Sequence, residues 1–322
     1  MAGGILMETD LSELKAEAFD IRQTHFPNAI NFYAPGIKHF STEEFQQKTP
    51  RAFRPVSLTG SACALQCEHC KSKILEPMIA LNQQEGLFNT CKRLSEHGTN
   101  GVLISGGSQK SGQVPLRKYA DDIARVKNEL GMRVMVHCGV IDEETAALMK
   151  SAGVDGMMLD IIGADETIRD VYHLDLTVED FDRSMEYLIK YDHSVRPHII
   201  LGLHFGQFLG EHTALAMLEK YPIHSLILVI LTPMVGTPMQ DIAPPAIPDI
   251  EQFFYDARVR MPQTPVLLGC ARPLGDHKLA VDHAAVDFGL NGIAYPAEGI
   301  IQHAKSKGLR PCFHEDSCSC GG

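Results

Sequence analysis

Short apolar runs alternate with longer amphipathic stretches along most of the 322-residue chain. The apolar runs are rich in Val, Ile and Leu and show no strict alternation with polar residues. This pattern is typical of parallel strands that helices cover on both faces. Eight runs predict strands, at residues 55–59, 101–105, 133–138, 156–161, 196–203, 225–231, 265–269 and 292–294.

The stretches between these runs have helical periodicity and predict helices at residues 116–130, 143–152, 178–191, 213–220, 249–260 and 277–288. The segment TVED at residues 177–180 predicts a helix start, with Thr177 as the N-cap. Eight β/α units in about 240 residues predict an α/β fold of the (β/α)8 TIM-barrel type. A doubly wound open sheet stays an alternative, because strand order cannot be read from one sequence.

The pattern divides the chain into three predicted parts. Residues 1–50 form a helical N-terminal extension, residues 51–308 form the barrel, and residues 309–322 form a short Cys-rich C-terminal tail without a core of its own.

Composition narrows the functional classes. A net charge of −11 disfavours binding to nucleic-acid backbones. The N-terminus has no basic, apolar leader, and no apolar stretch approaches the roughly 20 residues that a membrane span needs. We therefore expect a cytoplasmic protein with reduced thiols. Nine cysteines in that setting indicate metal ligands, catalytic thiols or small buried residues.

Three of the cysteines lie close together in GSACALQCEHCKSK, where Cys63, Cys67 and Cys70 have the spacing C-x3-C-x2-C. This segment follows the first predicted barrel strand, at the end of a barrel where active sites lie. Three soft thiolates suit zinc or an iron–sulfur cluster. A structural zinc ion requires four ligands, whereas three cysteines leave the fourth iron of a [4Fe–4S] cube open.

This motif on a β/α barrel resembles the signature of radical S-adenosylmethionine (SAM) enzymes. The resemblance implies that the open iron binds the amino and carboxylate groups of SAM and that SAM cleavage yields a 5′-deoxyadenosyl radical. Gly106 and Gly107, in ISGGS, resemble the turn that meets the SAM amino group. His69 has the position at which the family usually has an aromatic residue near the adenine.

Later segments resemble the biotin synthase branch of that family. Asp160, in LDII, resembles the carboxylate that binds the ribose hydroxyls, although a helix N-cap is an equal alternative. LTPMVGTPM resembles the branch's P-x-x-G-T-P turn, and GCARP resembles its segment with an inward arginine, here Arg272. We expect Gly202, near the fifth strand, to leave room for SAM beside the backbone.

Biotin synthase also holds a second cluster inside its barrel, bound by three cysteines and an arginine. Cys138 and Arg272 match two of these positions, but the second strand has no cysteine and the fifth has His198. We therefore do not expect that cluster here, and we interpret Cys138 as a small buried residue.

A different second site is predicted in the tail, where Cys312, Cys318 and Cys320 have the spacing C-x5-C-x-C. Three thiols and one further ligand would hold an auxiliary [4Fe–4S] cluster. A Cys3His zinc site that includes His314 and a tail without any metal are the alternatives.

The whole pattern resembles the two-protein lipoyl synthases. That resemblance implies sulfur insertion into a protein-bound octanoyl chain, with the auxiliary cluster sacrificed as the sulfur source. It also implies three partners: an octanoylated lipoyl-carrier protein, a second radical SAM protein, and a ferredoxin- or flavodoxin-type electron donor. The alternatives are a biotin synthase-like maturase or other enzyme that acts on a free small molecule, and a non-catalytic electron carrier. A carrier needs no open iron, which disfavours the last alternative.

Overall fold

The computed structural model describes residues 8–317 and residue 320, and this part of the chain contains ten α-helices and eleven strands. The strands are β1 (Ala29–Tyr33), β2 (Phe53–Ser57), β3 (Ile79–Ala80), β4 (Gly101–Ser105), β5 (Arg133–His137), β6 (Gly156–Met158), β7 (His198–Leu201), β8 (Leu226–Ile230), β9 (Val266–Leu268), β10 (Gly292–Ala294) and β11 (Arg310–His314). The helices are α1 (Glu8–His25), α2 (Leu87–Glu96), α3 (Ala120–Leu130), α4 (Glu143–Ser151), α5 (Asp165–Tyr172), α6 (Val178–Lys190), α7 (Glu211–Leu218), α8 (Ile247–Arg260), α9 (Asp276–Asp287) and α10 (Ile300–Ser306).

The strands form one parallel array. Two sheets have the strand orders β3-β2-β4-β5-β6 and β7-β8-β9-β10-β1-β11. Parallel bridges between Met157 and Val195 and between Asp160 and His198 join β6 to β7. Among the described residues, β3 and β11 are the edge strands, and they do not pair with each other. The fold is therefore an α/β structure with parallel sheets, a partial barrel in which helices cover the outside.

The eight predicted barrel strands correspond to β2 and β4–β10, and β4 and β10 have the predicted bounds. The predicted start of α6 is also confirmed, because Thr177 and Asp180 form a capping box. No helix within the described residues is both long and apolar enough to cross a membrane.

The structure differs from the sequence-based expectation at the two ends of the chain. The segment 1–50 is not helical throughout, because β1 pairs with β10. The tail does not begin outside the fold, because β11 pairs with β1 over residues 310–314. Apolar side chains explain both strands, since Phe32 of β1 and Phe313 of β11 stack with ring centroids 6.1 Å apart.

Candidate functional site

A mainly apolar cavity of about 370 Å³ opens at the carboxyl ends of the barrel strands. Successive strands contribute Ser105, His137, Asp160, Ile200 and Leu231 to its wall. Active sites of β/α barrels lie at this end, where the loops after the strands converge. The cavity is therefore the candidate site of this fold.

The loop that follows β2 brings all three predicted cluster thiols to this cavity. Cys63, Cys67 and Cys70 line the wall. The ligand atoms of Cys67, His69 and Cys70 lie within 4.8 Å of one another. The Cys63 sulfur lies 3.8 Å from the Ser108 carbonyl oxygen, on the adjacent side of the cavity. This arrangement provides soft ligands for a metal centre at one end of the cavity.

The cysteine loop is tied to α5 through Glu68. The Glu68 amide donates a hydrogen bond to the Val171 carbonyl at 2.9 Å. The Glu68 carboxylate accepts a hydrogen bond from Lys71 Nζ at 2.8 Å and lies 2.8 Å from Nε2 of His173. The sequence assigned no role to His173, whose left-handed backbone (φ 58°) ends α5 and directs its side chain at this loop.

Three non-glycine residues of the loop have left-handed backbone conformations. These are Gln66 (φ 50°), Lys71 (φ 43°) and Ser72 (φ 61°), which flank Cys67 and Cys70. Such conformations cost free energy and persist where surrounding contacts impose them, often at ligand sites. Contacts with the surrounding structure therefore impose the conformation of this loop, against the local preference of its backbone.

The two buried thiols influence each other's ionisation. Hydrogen bonding from Cys67 and His69 lowers the pKa of Cys70, against the opposing effect of burial. Hydrogen bonding to Cys70, followed by burial, raises the pKa of Cys67. One thiolate is therefore already favoured, and a bound metal would displace the proton of the second thiol.

Gly107 allows the cysteine loop to approach β4 closely. A Cβ atom on Gly107 would lie 2.0 Å from the Ala62 carbonyl oxygen and 2.6 Å from Cys63 Cα. The Gly107 amide donates a hydrogen bond to Thr59 Oγ1 at 2.7 Å. Gly106 also lines the cavity, with much more room for a side chain. Gly107 is thus needed by the protein's own packing, whatever it contacts in a ligand.

Three polar side chains meet beside the cavity, where His137 ends β5, Asp160 follows β6 and His198 begins β7. Ligand atoms of His137, Asp160 and His198 lie within 4.8 Å of one another, and Tyr172 donates a hydrogen bond to Asp160 Oδ2 at 3.4 Å. The positions of His137 and Asp160 at the carboxyl ends of neighbouring strands are the signal by which sequence analysis could have paired them, whereas His198 carries no such signal.

The electrostatics of this group favour an ionised Asp160. Burial raises the pKa of Asp160, but the hydrogen bond with His137 and the charges of His137, His198 and His69 outweigh it and lower the pKa to about 2. Burial and the neighbouring His137 lower the pKa of His198 to about 4. At neutral pH the wall therefore presents a carboxylate beside a neutral imidazole.

His69 lies on the cysteine loop and faces the cavity. It lines the cavity, and its ring centroid is 5.3 Å from that of Tyr172. Its buried Nδ1 atom has no hydrogen-bond partner among the described residues. The imidazole can therefore donate to, or accept from, a ligand in the cavity.

Two predicted site residues lie elsewhere. Gly202 does not line the cavity: its amide donates to Glu211 Oε1 at 2.9 Å, and Pro245 occupies the space where its side chain would be. Arg272 is buried in an ion pair with Asp282 at 2.5 Å and also donates to backbone carbonyls. It has an internal structural role, since its hydrogen bonds are directed into the protein.

Two of the three tail cysteines fall within the described residues. Cys312 is on β11, where Arg310 Nη1 donates a hydrogen bond to its sulfur at 3.2 Å, and Cys320 is partly buried against a small cluster of Phe53, Met135 and Met158. Cys318 lies outside the described residues. His314, the alternative zinc ligand, contacts Asn31 Oδ1 through Nε2 at 3.1 Å. The tail site stays a prediction.

Cys138 is a small buried residue, which confirms the sequence-based interpretation. Its side chain is buried, and its sulfur lies 3.2 Å from the Gly139 carbonyl and 3.3 Å from the Met158 carbonyl. It does not line the cavity.

Comparison with known proteins agrees with this geometry. The family model described as the Radical SAM superfamily matches residues 57–208, which include the cysteine loop and strands β4–β7. The biotin synthase of Geotalea daltonii is 23% identical over 197 residues, which cover 58% of this chain and 57% of that protein. The biotin synthase of Methylococcus capsulatus is 25% identical over 283 residues, which cover 83% and 82% of the two chains.

The crystal structure of methylornithine synthase (PylB) shares the fold, with a TM-score of 0.64 and 14% identity over 96% of this chain and 91% of that one. The chain is therefore similar to the Radical SAM superfamily over residues 57–208 and distantly similar to biotin synthases.

The residues of the cavity fit the cofactors of that superfamily. Three thiols on one loop can hold three irons of a [4Fe–4S] cluster and leave the fourth open for SAM. The unpartnered Nδ1 of His69 and the partly exposed carboxylate of Asp160 face the same space, where they can bind polar groups of a nucleoside.

Proposed function

We propose that this protein inserts sulfur into a protein-bound octanoyl chain, as one component of a two-protein lipoyl synthase. The observation that carries the proposal is the presence of thiols at both ends of one barrel. Cys63, Cys67 and Cys70 line the cavity, whereas Cys320 is partly buried against Phe53, Met135 and Met158 at the other end. Distant similarity to biotin synthases supports chemistry of that branch.

When bound, the loop cluster and SAM supply a 5′-deoxyadenosyl radical that can remove hydrogen from an unactivated methylene. The chain's own residues bind and orient the reactants. In this proposal Asp160 accepts hydrogen bonds from the ribose hydroxyls, and His137 keeps its carboxylate ionised. The apolar side chains of Ile200, Val229 and Met234 exclude water and contact the acyl chain.

The tail thiols would hold the second cluster, which is consumed as the sulfur substrate. Three thiols within nine residues are a suitable set for such a cluster.

The rim of the cavity supports a protein-bound rather than a free substrate. Large apolar side chains are exposed on loops at this end, with Val235 86%, Leu274 75% and Ile74 54% exposed. Exposed apolar groups of this kind mark protein interaction sites. We propose that the octanoylated carrier docks here, and that a second radical SAM protein and a ferredoxin- or flavodoxin-type donor complete the reaction.

The experiment compares the unmodified protein with a variant in which Cys312, Cys318 and Cys320 are changed to Ala. Both are incubated anaerobically with SAM, a reductant, the partner protein and an octanoylated lipoyl-carrier peptide. We expect the variant to form 5′-deoxyadenosine and to lose sulfur transfer, as measured by mass spectrometry of the peptide. Cys91→Ala is the control, because Cys91 is a buried thiol of α2 that does not line the cavity.

Two outcomes would contradict the proposal. Sulfur addition at the normal rate by the tail variant would exclude the tail as the sulfur source. Zinc rather than iron in the tail, as found by elemental analysis, would favour the alternative in which the enzyme acts on a free small molecule.

A further inference from the structure

Sheet register brings two histidines and an aspartate together beside the cavity. His137 ends β5 and is paired with Met158, the last residue of β6, and Asp160 lies two residues beyond Met158. A parallel bridge joins Asp160 to His198, the first residue of β7. The group is therefore built by three neighbouring strands rather than by one loop.

The three side chains approach one another as the ligands of one metal ion do. One ligand atom each from His137, Asp160 and His198 lies within 4.8 Å of the other two. His137 Nε2 is 3.5 Å from Asp160 Oδ1. Zinc bonds of about 2.0–2.1 Å hold tetrahedral ligand atoms about 3.4 Å apart, so this pair needs little movement to bind an ion. The two imidazole rings are not stacked, with an interplanar angle of 64° and centroids 5.6 Å apart.

Contacts within the described residues leave this group incompletely paired. No lysine or arginine in that part of the chain forms an ion pair with Asp160, whose contacts are His137 at 3.5 Å and the Tyr172 hydroxyl at 3.4 Å. Nδ1 of His198 is buried and has no hydrogen-bond partner there. Buried polar groups usually have partners, and buried charges are paired or coordinate metals. A divalent cation would compensate the carboxylate and engage both imidazoles.

The group is accessible from the cavity. His137 and Asp160 line the cavity wall, and their side chains are 27% and 28% exposed. Structural zinc sites have four protein ligands, whereas catalytic zinc sites have three and keep a position open for water or substrate. Two histidines and one carboxylate with an open side match the second kind of site.

We propose that His137, Asp160 and His198 bind a zinc ion whose open position faces the cavity and takes a hydroxyl, carboxylate or water oxygen. Imidazole ligands suit zinc, which such sites bind more tightly than iron(II). The ion would use Asp160 Oδ1, beside His137, so that Oδ2 stays available to a ribose hydroxyl. The site contains no thiol and is chemically distinct from the cysteine loop. The inference does not depend on sulfur insertion.

The test measures zinc binding to the full-length protein under conditions in which thiols do not compete. Cys312, Cys318 and Cys320 are changed to Ala, and the loop is reconstituted anaerobically with iron and sulfide so that iron occupies its thiols. The protein is then dialysed against buffers of fixed free zinc concentration, and zinc per chain is determined by elemental analysis. We expect one zinc ion per chain at saturation.

His198→Gln and His137→Gln each remove one imidazole ligand in this background. Loss of a group that only orients a ligand weakens metal binding about 10- to 100-fold, so loss of a ligand should weaken zinc binding by more than about 100-fold. His303→Gln is the control, because it removes an imidazole that contacts Asp287 at 2.8 Å outside the cavity. Iron content shows whether each variant has folded around the loop, and either glutamine variant suffices if the other does not fold.

X-ray absorption at the zinc edge identifies the ligands. We expect nitrogen and oxygen at about 2.0–2.1 Å and no sulfur at about 2.3 Å. Sulfur ligands would overturn the proposal, as would an absence of zinc at micromolar free zinc. Zinc binding that both glutamine variants retain, or that His303→Gln weakens equally, would also overturn it. These measurements involve neither SAM cleavage nor an octanoyl substrate, so their failure is distinct from failure of the proposed function.

Discussion

The two ends of the barrel differ in how they gather their thiols. At the cavity end, Cys63, Cys67 and Cys70 lie on one loop of eight consecutive residues. In the tail, Cys312 is on β11 and Cys320 is on the segment that follows it, packed against Phe53, Met135 and Met158. Both sets show a spacing in the sequence, but within the described residues only the loop brings three thiols to one cavity.

The two ends also differ in the charge that surrounds the thiols. The cavity contains Asp160, whose carboxylate is stabilised by neighbouring histidines. At the opposite end, near Cys320, Arg133 forms an ion pair with Asp316 and Lys127 forms one with Asp155. The cavity is therefore suited to bind hydroxyl and amino groups, whereas these charges at the opposite end already compensate one another.

The largest expected effect separates the two ends completely. Changing Cys63, Cys67 and Cys70 to Ala should abolish SAM cleavage and remove one [4Fe–4S] cluster, because no other thiols line the described cavity. Iron bound by the proposed tail site should remain. The measurements are 5′-deoxyadenosine formation under anaerobic reducing conditions and iron content per chain. Full cleavage by the triple variant would disprove the assignment of the loop.

Asp160→Asn should weaken SAM binding about 10- to 100-fold, from the loss of about 1.5–3 kcal/mol of charge-assisted hydrogen bonding. The iron content should not change, since Asp160 is not a thiol ligand. Equilibrium binding of SAM is the measurement. Asp142→Asn is the matched control, because Asp142 is also an ionised aspartate with a pKa of about 2 but caps α4 outside the cavity. Equal affinities in both variants would leave Asp160 without a role in SAM binding.

Gly107→Ala should destabilise the folded loop by about 1–3 kcal/mol, because the added Cβ would overlap the Ala62 carbonyl. We expect faster loss of iron from the cavity end to a chelator. Gly106→Ala is the paired control, since its Cβ would lie 3.2 Å from Thr59 Oγ1, the end of a side chain. If both variants lose iron at the same rate, close packing of Gly107 does not maintain the site.

The smallest effect is expected for Glu68→Gln. The Glu68 carboxylate binds Lys71 and His173 near the protein surface, and such ion pairs contribute about 0.2–1 kcal/mol. At low salt, iron loss from the loop should be slightly faster in this variant than in the unmodified protein. At high salt, the two proteins should lose iron at the same rate. Chelator assays at low and high ionic strength measure it, because salt weakens the pair in the unmodified protein. A difference between the proteins that is independent of salt would argue against the ion pair.

Much of the fold could be predicted because each barrel strand is a local apolar run between polar turns. The bounds of β4 and β10 and the cap at Thr177 were readable in this way. The strands β1 and β11 were not, because their pairing partners are distant in the sequence. Arg272 is buried as the resemblance implied, but its partner Asp282 lies on α9, and only the packed structure shows their contact.

The sequence by itself determined the parallel β/α alternation and the three thiols of the cavity loop, since both depend on spacing over a few residues. Only the tertiary structure decided that His137, Asp160 and His198 meet, because their contact requires three neighbouring strands in one register. It also decided that Cys320 packs against Phe53, Met135 and Met158. The physical reason is that a charge pattern acts through distance in space, and chain folding brings together groups that the sequence keeps more than a hundred residues apart.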